Sequence, residues 1–113
     1  MLELKQHHFE GQFLKSFQND VVVIAYKANW CHFCEKLKPE YKKLSKILLN
    51  RAVVAVIDAD ESKDLINQNN KFLHGYKVNY FPTIVIYKNG YFIKEIDVER
   101  NANKIASEVF RYL

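Results

Sequence analysis

The spacing of the apolar residues changes along the chain, and each spacing predicts one kind of element. Residues 21–26 form a continuous apolar run rich in β-branched side chains, which is typical of a strand that is buried on both faces and central in its sheet. After Trp30 the apolar residues step by three and four while lysines mark the opposite side, which predicts a long amphipathic helix beginning at the cysteines. The apolar positions of this helix are Cys34, Leu37, Tyr41, Leu44 and Leu48. Pro39 lies inside the helix and predicts a bend.

Residues 52–57 form a second buried run. A strand, a helix and a strand within about forty residues make a βαβ unit, in which the two strands are parallel. Residues 83–87 and 91–96 predict two more strands, which should be antiparallel because Asn89-Gly90 suits the positive φ angles of a tight hairpin. A closing helix is predicted after Asn101, its expected cap. The inner stripe of this helix would be Ala102, Ile105, Ala106, Val109 and Leu113.

The first twenty residues have a less regular pattern. Leucine alternates with charged residues at positions 2–5, which predicts a short strand. Phe9, Phe13 and Phe17 recur every fourth residue, as on one side of a helix, and residues 19–20 predict a turn before the central strand. This part of the chain is therefore expected to add one strand and one helix.

Composition limits the class of protein. The chain has 113 residues, of which 49% are hydrophobic, enough for one folded domain over residues 1–113. The net charge of +4 is modest and the basic residues are not massed into an arm, so we expect no nucleic-acid partner. No apolar run approaches the length of a membrane span and no export signal is visible, so we expect no membrane association and a cytoplasmic or otherwise intracellular location. A processed secretory or endoplasmic-reticulum form stays an alternative.

Both cysteines of the chain lie in Cys31-His32-Phe33-Cys34. Two thiols at this spacing can close a disulfide across one helical turn and carry two electrons without a cofactor. The same spacing occurs in zinc sites, which need two further ligands. The chain has no second cysteine pair, and its four histidines form no HxxxH pair. We expect redox chemistry and no metal, with zinc binding through Cys31, Cys34 and His32 as the alternative.

Four motifs occur together in one order. They are WCHFC after a buried strand, Pro39 in the following helix, Phe81-Pro82-Thr83 before a strand, and Lys88-Asn89-Gly90 at a hairpin. In these motifs the chain resembles the thioredoxin superfamily, and within it thioredoxins and the catalytic domains of protein disulfide isomerases. The resemblance covers nearly the whole chain. It implies an α/β fold, the three-layer α/β/α sandwich in which a mixed sheet of about five strands is flanked by about four helices.

The resemblance also implies a chemistry, thiol-disulfide exchange on protein substrates. Cys31 would be the nucleophile, and Cys34, expected to be the more buried of the two, the resolving thiol. The position of Cys31 at the start of the predicted helix supports its role as nucleophile, because unpaired backbone donors there favour a thiolate. The redox-active disulfide would be the only redox group, and the partners would be disulfide-bearing proteins and a reductant or oxidant protein. We expect a monomer. Isomerase or oxidase activity and a non-catalytic binding module are the alternatives.

The neighbouring residues are candidates for substrate binding. Trp30 and Phe33 are aromatic residues on either side of the nucleophile, and either could hold an apolar part of a substrate or pack inward. In the family the proline at Pro82 is usually cis and lies beside the CxxC motif, where the backbone near Phe81 can pair with an extended substrate. His32 could stabilise the reduced form, and its alternative is a solvated surface histidine.

Two features depart from the family pattern, the missing charged pair at Ala25 and Val56 and a longer segment before Pro82, and Arg100 bears on the first of them. Thioredoxins and disulfide isomerases carry a buried acid at the position of Ala25 and often a lysine at that of Val56, so this pair is missing here. Arg100 resembles an arginine that approaches the active site in disulfide isomerases, where a cation would lower the pKa of the second thiol; the alternative is an exposed arginine at a helix start. Residues 62–72 predict a polar helix, and residues 67–74 make this region longer than in a typical thioredoxin, which could affect partner choice.

Overall fold

Five strands and two α-helices are present in the computed structural model, which describes residues 1–62, 65–66, 78 and 80–113. The strands are β1 (Leu2–Glu3), β2 (Val21–Lys27), β3 (Val53–Asp58), β4 (Thr83–Lys88) and β5 (Tyr91–Glu95). The helices are α1 (His32–Ile47) and α2 (Ala102–Phe110). Two short 3-10 helices, Gln6–His8 and Lys15–Phe17, precede β2. None of the described helices is long and apolar enough to cross a membrane.

The strands form one mixed sheet in the order β1-β3-β2-β4-β5. β2 is central, as its continuous apolar run predicts, and it is parallel to β3, which is in turn parallel to β1. β4 and β5 are antiparallel to their neighbours. In the β2–β3 register Ala25 is opposite Val56 and Lys27 is opposite Asp58, which places these four residues near the carboxyl ends of two parallel strands.

The two faces of the sheet carry separate cores. Side chains alternate across a strand, so Val21, Val23 and Ala25 of β2 face α1 and α2, which pack together on one side. Val22, Ile24 and Tyr26 face the other side, where the N-terminal segment and Leu65 cover them. The sheet therefore lies between two layers, as the predicted sandwich requires.

Most of the predicted elements are confirmed. The helical stripe of α1 is buried at every position expected, through Leu48. The hairpin turns at Asn89 and Gly90 with φ angles of 55° and 88°. The positive φ favours glycine at position 90, and a Cβ there would also collide with the ring of Phe13. Asn101 caps α2 by accepting a hydrogen bond from the N–H of Lys104 at 2.9 Å.

The helix predicted through Phe9, Phe13 and Phe17 is wrong. Gly11 has a φ of 57°, and Glu10 and Phe13 form an isolated β-bridge, so the chain turns back between two 3-10 helices instead of continuing one α-helix. Leu113 is also misplaced in the predicted stripe. Because α2 ends at Phe110, Leu113 lies beyond the helix and is 52% exposed.

Two α-helices, α1 and α2, lie entirely within the described residues, rather than the expected number of about four. The polar helix predicted for residues 62–72 falls mostly outside the described residues, as does all of the longer segment 67–74. Leu65 and Ile66 are described and helical, and Leu65 is buried in the core.

Candidate active site

Cys31 stands at the junction between β2 and α1, where a short loop leads from the sheet to the helix. Its backbone is extended, with φ −88° and ψ 113°, and its side chain caps α1. The sulfur accepts a hydrogen bond from the N–H of Cys34 at 3.1 Å. The first N–H groups of a helix have no partner within the helix, so one of them is available to a sulfur at this position. The helix start thus holds the Cys31 sulfur against the residue that carries the second thiol.

The Phe81-Pro82 peptide bond is cis and lies next to Cys31. The Cys31 thiol donates a hydrogen bond to the carbonyl oxygen of Phe81 at 3.2 Å. Pro82 itself is buried, and β4 begins directly after it. The fold therefore brings together two motifs that are 50 residues apart, as the resemblance implies.

Both thiols are buried to the same degree. Cys31 and Cys34 are each 5% exposed, and they pack in one small apolar cluster with Ala28, against Ala59 and Phe81. The expectation that Cys34 would be the more buried residue is therefore wrong. Cys31 is covered because the loop before β4 places Phe81 over it, a long-range contact that its position at a helix start does not reveal.

Burial raises the pKa of the Cys34 thiol to about 11, and the hydrogen bond to Cys31 adds to this shift. The positive charge of Arg100 acts in the opposite direction and lowers that pKa. The guanidinium is held in place by a hydrogen bond from Nη2 to the carbonyl oxygen of Pro82 at 3.2 Å. Arg100 is thus tied to the cis-proline beside the two thiols, and it acts on Cys34 as a cation.

The rim of the site is aromatic. Trp30 is 73% exposed and Phe33 56% exposed, so neither ring packs inward. Trp30 meets the ring of Phe81 edge-on, with the centroids 5.8 Å apart. His32 is also exposed, and no hydrogen bond joins its imidazole to Cys31 in the described part of the chain. A partner that approaches Cys31 therefore meets two exposed rings first.

A family model described as Thioredoxin matches residues 1–111 of the chain. The chain belongs to the thioredoxin family. It is 40% identical over 78 residues to a protein disulfide-isomerase of Medicago sativa, and this alignment covers 65% of this chain and 14% of that protein. It is 34% identical over 86 residues to protein disulfide isomerase-like 2-3 of Oryza sativa subsp. japonica, covering 76% of this chain and 18% of that protein.

The fold is shared with a crystal structure of the reduced thioredoxin pre-protein of Schistosoma mansoni. The TM-score is 0.75 at 22% identity, over 99% of this chain and 97% of that one. The two curated relatives are much longer, since the chain spans 14% and 18% of their lengths. Membership of the thioredoxin family and likeness to disulfide isomerases support thiol-disulfide oxidoreductase or isomerase chemistry at the level of the family.

The sequence did not single out Asp60, which positions the thioredoxin-family motif from a neighbouring loop. One of its carboxylate oxygens accepts a hydrogen bond from the N–H of Asn29 at 2.9 Å, next to Trp30. The adjacent N–H of Ala59 donates to the carbonyl oxygen of Lys27 at 2.7 Å. This contact could have been predicted from the parallel pairing of β2 and β3, because the residues that follow two parallel strands lie at the same edge of the sheet.

Among the described residues, three side chains that could bind a metal ion lie close together, and none of them is a cysteine. They are Glu3, Asp58 and Glu61. Lys5 pairs with Glu3 and Glu61 at 3.2 and 3.0 Å, and the Nζ of Lys27 lies 3.9 Å from Asp58. These carboxylates already have cationic partners.

Proposed function

We propose that this thioredoxin-family chain is a thiol-disulfide oxidoreductase that acts on protein disulfides through Cys31 and Cys34. The observation that carries the proposal is the placement of the Cys31 sulfur at the start of α1, where it accepts the N–H of Cys34 at 3.1 Å and lies 3.2 Å from the carbonyl oxygen of Phe81. A sulfur in this setting has a helix start to stabilise a negative charge and a second cysteine one turn away.

The cycle has two exchange steps. The thiolate of Cys31 attacks one sulfur of a substrate disulfide, so that a mixed disulfide forms and the other substrate sulfur leaves as a thiolate. Cys34 then loses its proton to solvent and attacks the Cys31 sulfur, which closes the Cys31–Cys34 disulfide and releases the second substrate thiolate. The substrate gains two electrons and the chain loses two. A dithiol reductant restores the two thiols of the chain. In the reverse direction the Cys31–Cys34 disulfide oxidises a substrate dithiol, and an oxidant partner then restores the Cys31–Cys34 disulfide.

The substrate would bind over the exposed side of the motif. Trp30 and Phe33 offer apolar area, and the backbone at Phe81 and Pro82 offers hydrogen-bonding groups to an extended segment. His32 is exposed beside the nucleophile and would contact the substrate rather than the Cys31 sulfur. In this proposal the Cys31–Cys34 pair is the only redox group, and no metal or organic cofactor takes part.

The test is reduction of insulin disulfides by the protein with dithiothreitol as the terminal reductant. Cys31→Ser should abolish catalysis, because no thiol remains at the helix start. Cys34→Ser that has been reduced and then freed of dithiothreitol should still attack insulin but accumulate a mixed disulfide, which intact-mass spectrometry would detect. The two variants are matched controls for each other, since both replace one sulfur by oxygen. Full activity in Cys31→Ser would reject the mechanism, and no trapped species in Cys34→Ser would remove the resolving role.

A second candidate is a non-catalytic binding module, which the 5% exposure of Cys31 favours. A sulfur covered by Phe81 is less open to attack than one at an exposed helix start. Affinity capture of partner proteins by a variant with both cysteines replaced by serine separates the two functions. Undiminished capture together with no turnover in the insulin assay would favour the binding module.

A further inference from the structure

We propose that a cleft beside Cys34 binds a small organic anion with an apolar body. The cleft has a volume of about 420 Å³ and lies between α1 and the carboxyl ends of β2 and β3. A volume of this size is within the usual range for small-molecule sites. The proposal does not depend on the redox activity of the thiols, because it concerns a different face of the cysteine pair from the aromatic rim.

The floor of the cleft is apolar because the sheet carries only short side chains there. Ala25 and Val56 are paired across β2 and β3, and both face α1. Cys34, Leu37 and Tyr41 of α1 form the opposite wall. The Tyr41 hydroxyl is hydrogen-bonded to the carbonyl oxygens of Ala55 and Val23 at 2.6 and 3.1 Å, so it is not free to bind a ligand. These walls match the apolar body of a ligand better than its polar group.

The rim of the cleft is positively charged. Lys27, Lys38 and Lys42 line it, together with one acid, Glu3, and that acid is paired with Lys5 at 3.2 Å. Lys38 and Lys42 are four residues apart on the same face of α1, where like charges repel. An anion at the rim would relieve this repulsion, whereas a cation would add to it.

The three lysines differ in how well their charges are compensated. Lys38 pairs with Glu35 at 2.9 Å, and Lys27 lies 3.9 Å from Asp58. Lys42 has no acidic partner within the part of the chain that the structure describes. It is therefore the cation most available to an acidic head group, and the class of ligand that fits is a carboxylate or sulfonate carrying an aliphatic or aromatic body.

Decanoate is a suitable probe, and its binding can be followed by methyl NMR on the intact chain. The methyl signals of Ala25 and Val56 should shift and saturate with decanoate. Lys42→Ala should weaken this binding about three-fold, the effect of one partly solvated charge. Lys46→Ala is the matched control, because Lys46 is an exposed lysine of the same helix that does not line the cleft. Val56→Phe, which fills the floor, should abolish the shift of the Ala25 methyl signal, the one reporter that this variant keeps.

Two related probes test the charge requirement. Decanol has the same apolar body without the acid, and decyltrimethylammonium replaces the acid by a cation, so both should bind more weakly than decanoate. The proposal is overturned if the cation binds as well as decanoate, if Lys42→Ala and Lys46→Ala behave alike, or if decanoate leaves the Ala25 and Val56 methyl signals unmoved. Because none of these measurements uses turnover, failure of the insulin assay would leave this test intact.

Discussion

Titration of Cys34 tests directly how burial and the charge of Arg100 set the pKa of the second thiol. Burial raises the pKa of this group from its ordinary value of 9.0 to about 11, and the charge of Arg100 limits the rise. The perturbation is Arg100→Gln, which keeps a hydrogen-bond donor for the Pro82 carbonyl but removes the cation. We expect the pKa of Cys34 to rise further in this variant, because its thiolate loses a favourable charge.

The size of the effect in the unmodified protein follows from the shifted pKa. With a value of about 11, about one Cys34 in a thousand is ionised at pH 8, and the fraction increases tenfold with each pH unit until pH approaches 11. If loss of the Cys34 proton precedes attack on the mixed disulfide, the rate of that step should increase by the same factor. An ordinary thiol would instead reach half ionisation near pH 9.

The assay is a pH titration of the Cys34 Cβ chemical shift in reduced protein labelled with ¹³C at cysteine. The signal of the unmodified protein should keep its thiol position through pH 9, and that of Arg100→Gln should keep it to a higher pH. Arg111→Gln is the control, since Arg111 is an exposed arginine paired with Glu108 at 3.6 Å and is not among the causes of the Cys34 shift. A midpoint at or below pH 9, or the same midpoint in Arg100→Gln and Arg111→Gln, would refute the reasoning.

Two further predictions concern stability. Tyr41→Phe removes a buried hydroxyl bonded to Ala55 at 2.6 Å and should lower the free energy of unfolding by about 1 kcal/mol. Urea denaturation measures this, with Tyr112→Phe as control because Tyr112 is only partly buried, and equal effects of the two variants would contradict it. Asn101→Ala removes the cap of α2 and should also cost about 1 kcal/mol, whereas Asn101→Asp should not. The same loss in both Asn101 variants would argue against a capping role.

Much of the fold could be predicted because several local patterns agree with the tertiary structure. The apolar run of β2 is central, the stripe of α1 is buried, and Asn89-Gly90 turns between two strands. The predicted helix near Phe13 failed for a physical reason: this ring packs against Gly90 from a segment that the positive φ of Gly11 bends, and spacing alone shows neither fact.

The candidate site was only partly predictable. The cysteines and Pro82 could be found because each belongs to a short motif with a fixed place in the fold. Phe81 covers Cys31, and Asp60 accepts a hydrogen bond from Asn29. Both contacts join residues that are distant in sequence, so they depend on tertiary packing and could not be predicted from a local motif. The monomeric state and the intracellular location stay predictions.

The central claim is that Cys31 and Cys34 form one reversible two-electron couple. Equilibration of the protein in glutathione buffers of graded potential, followed by alkylation and mass spectrometry of the tryptic peptide 28–36, measures both thiols in one fragment. We predict that both thiols are lost together in a single transition, with formation of the Cys31–Cys34 disulfide, and that the change reverses on reduction. Separate glutathione adducts on the two cysteines, without an internal disulfide at any potential, would contradict the account.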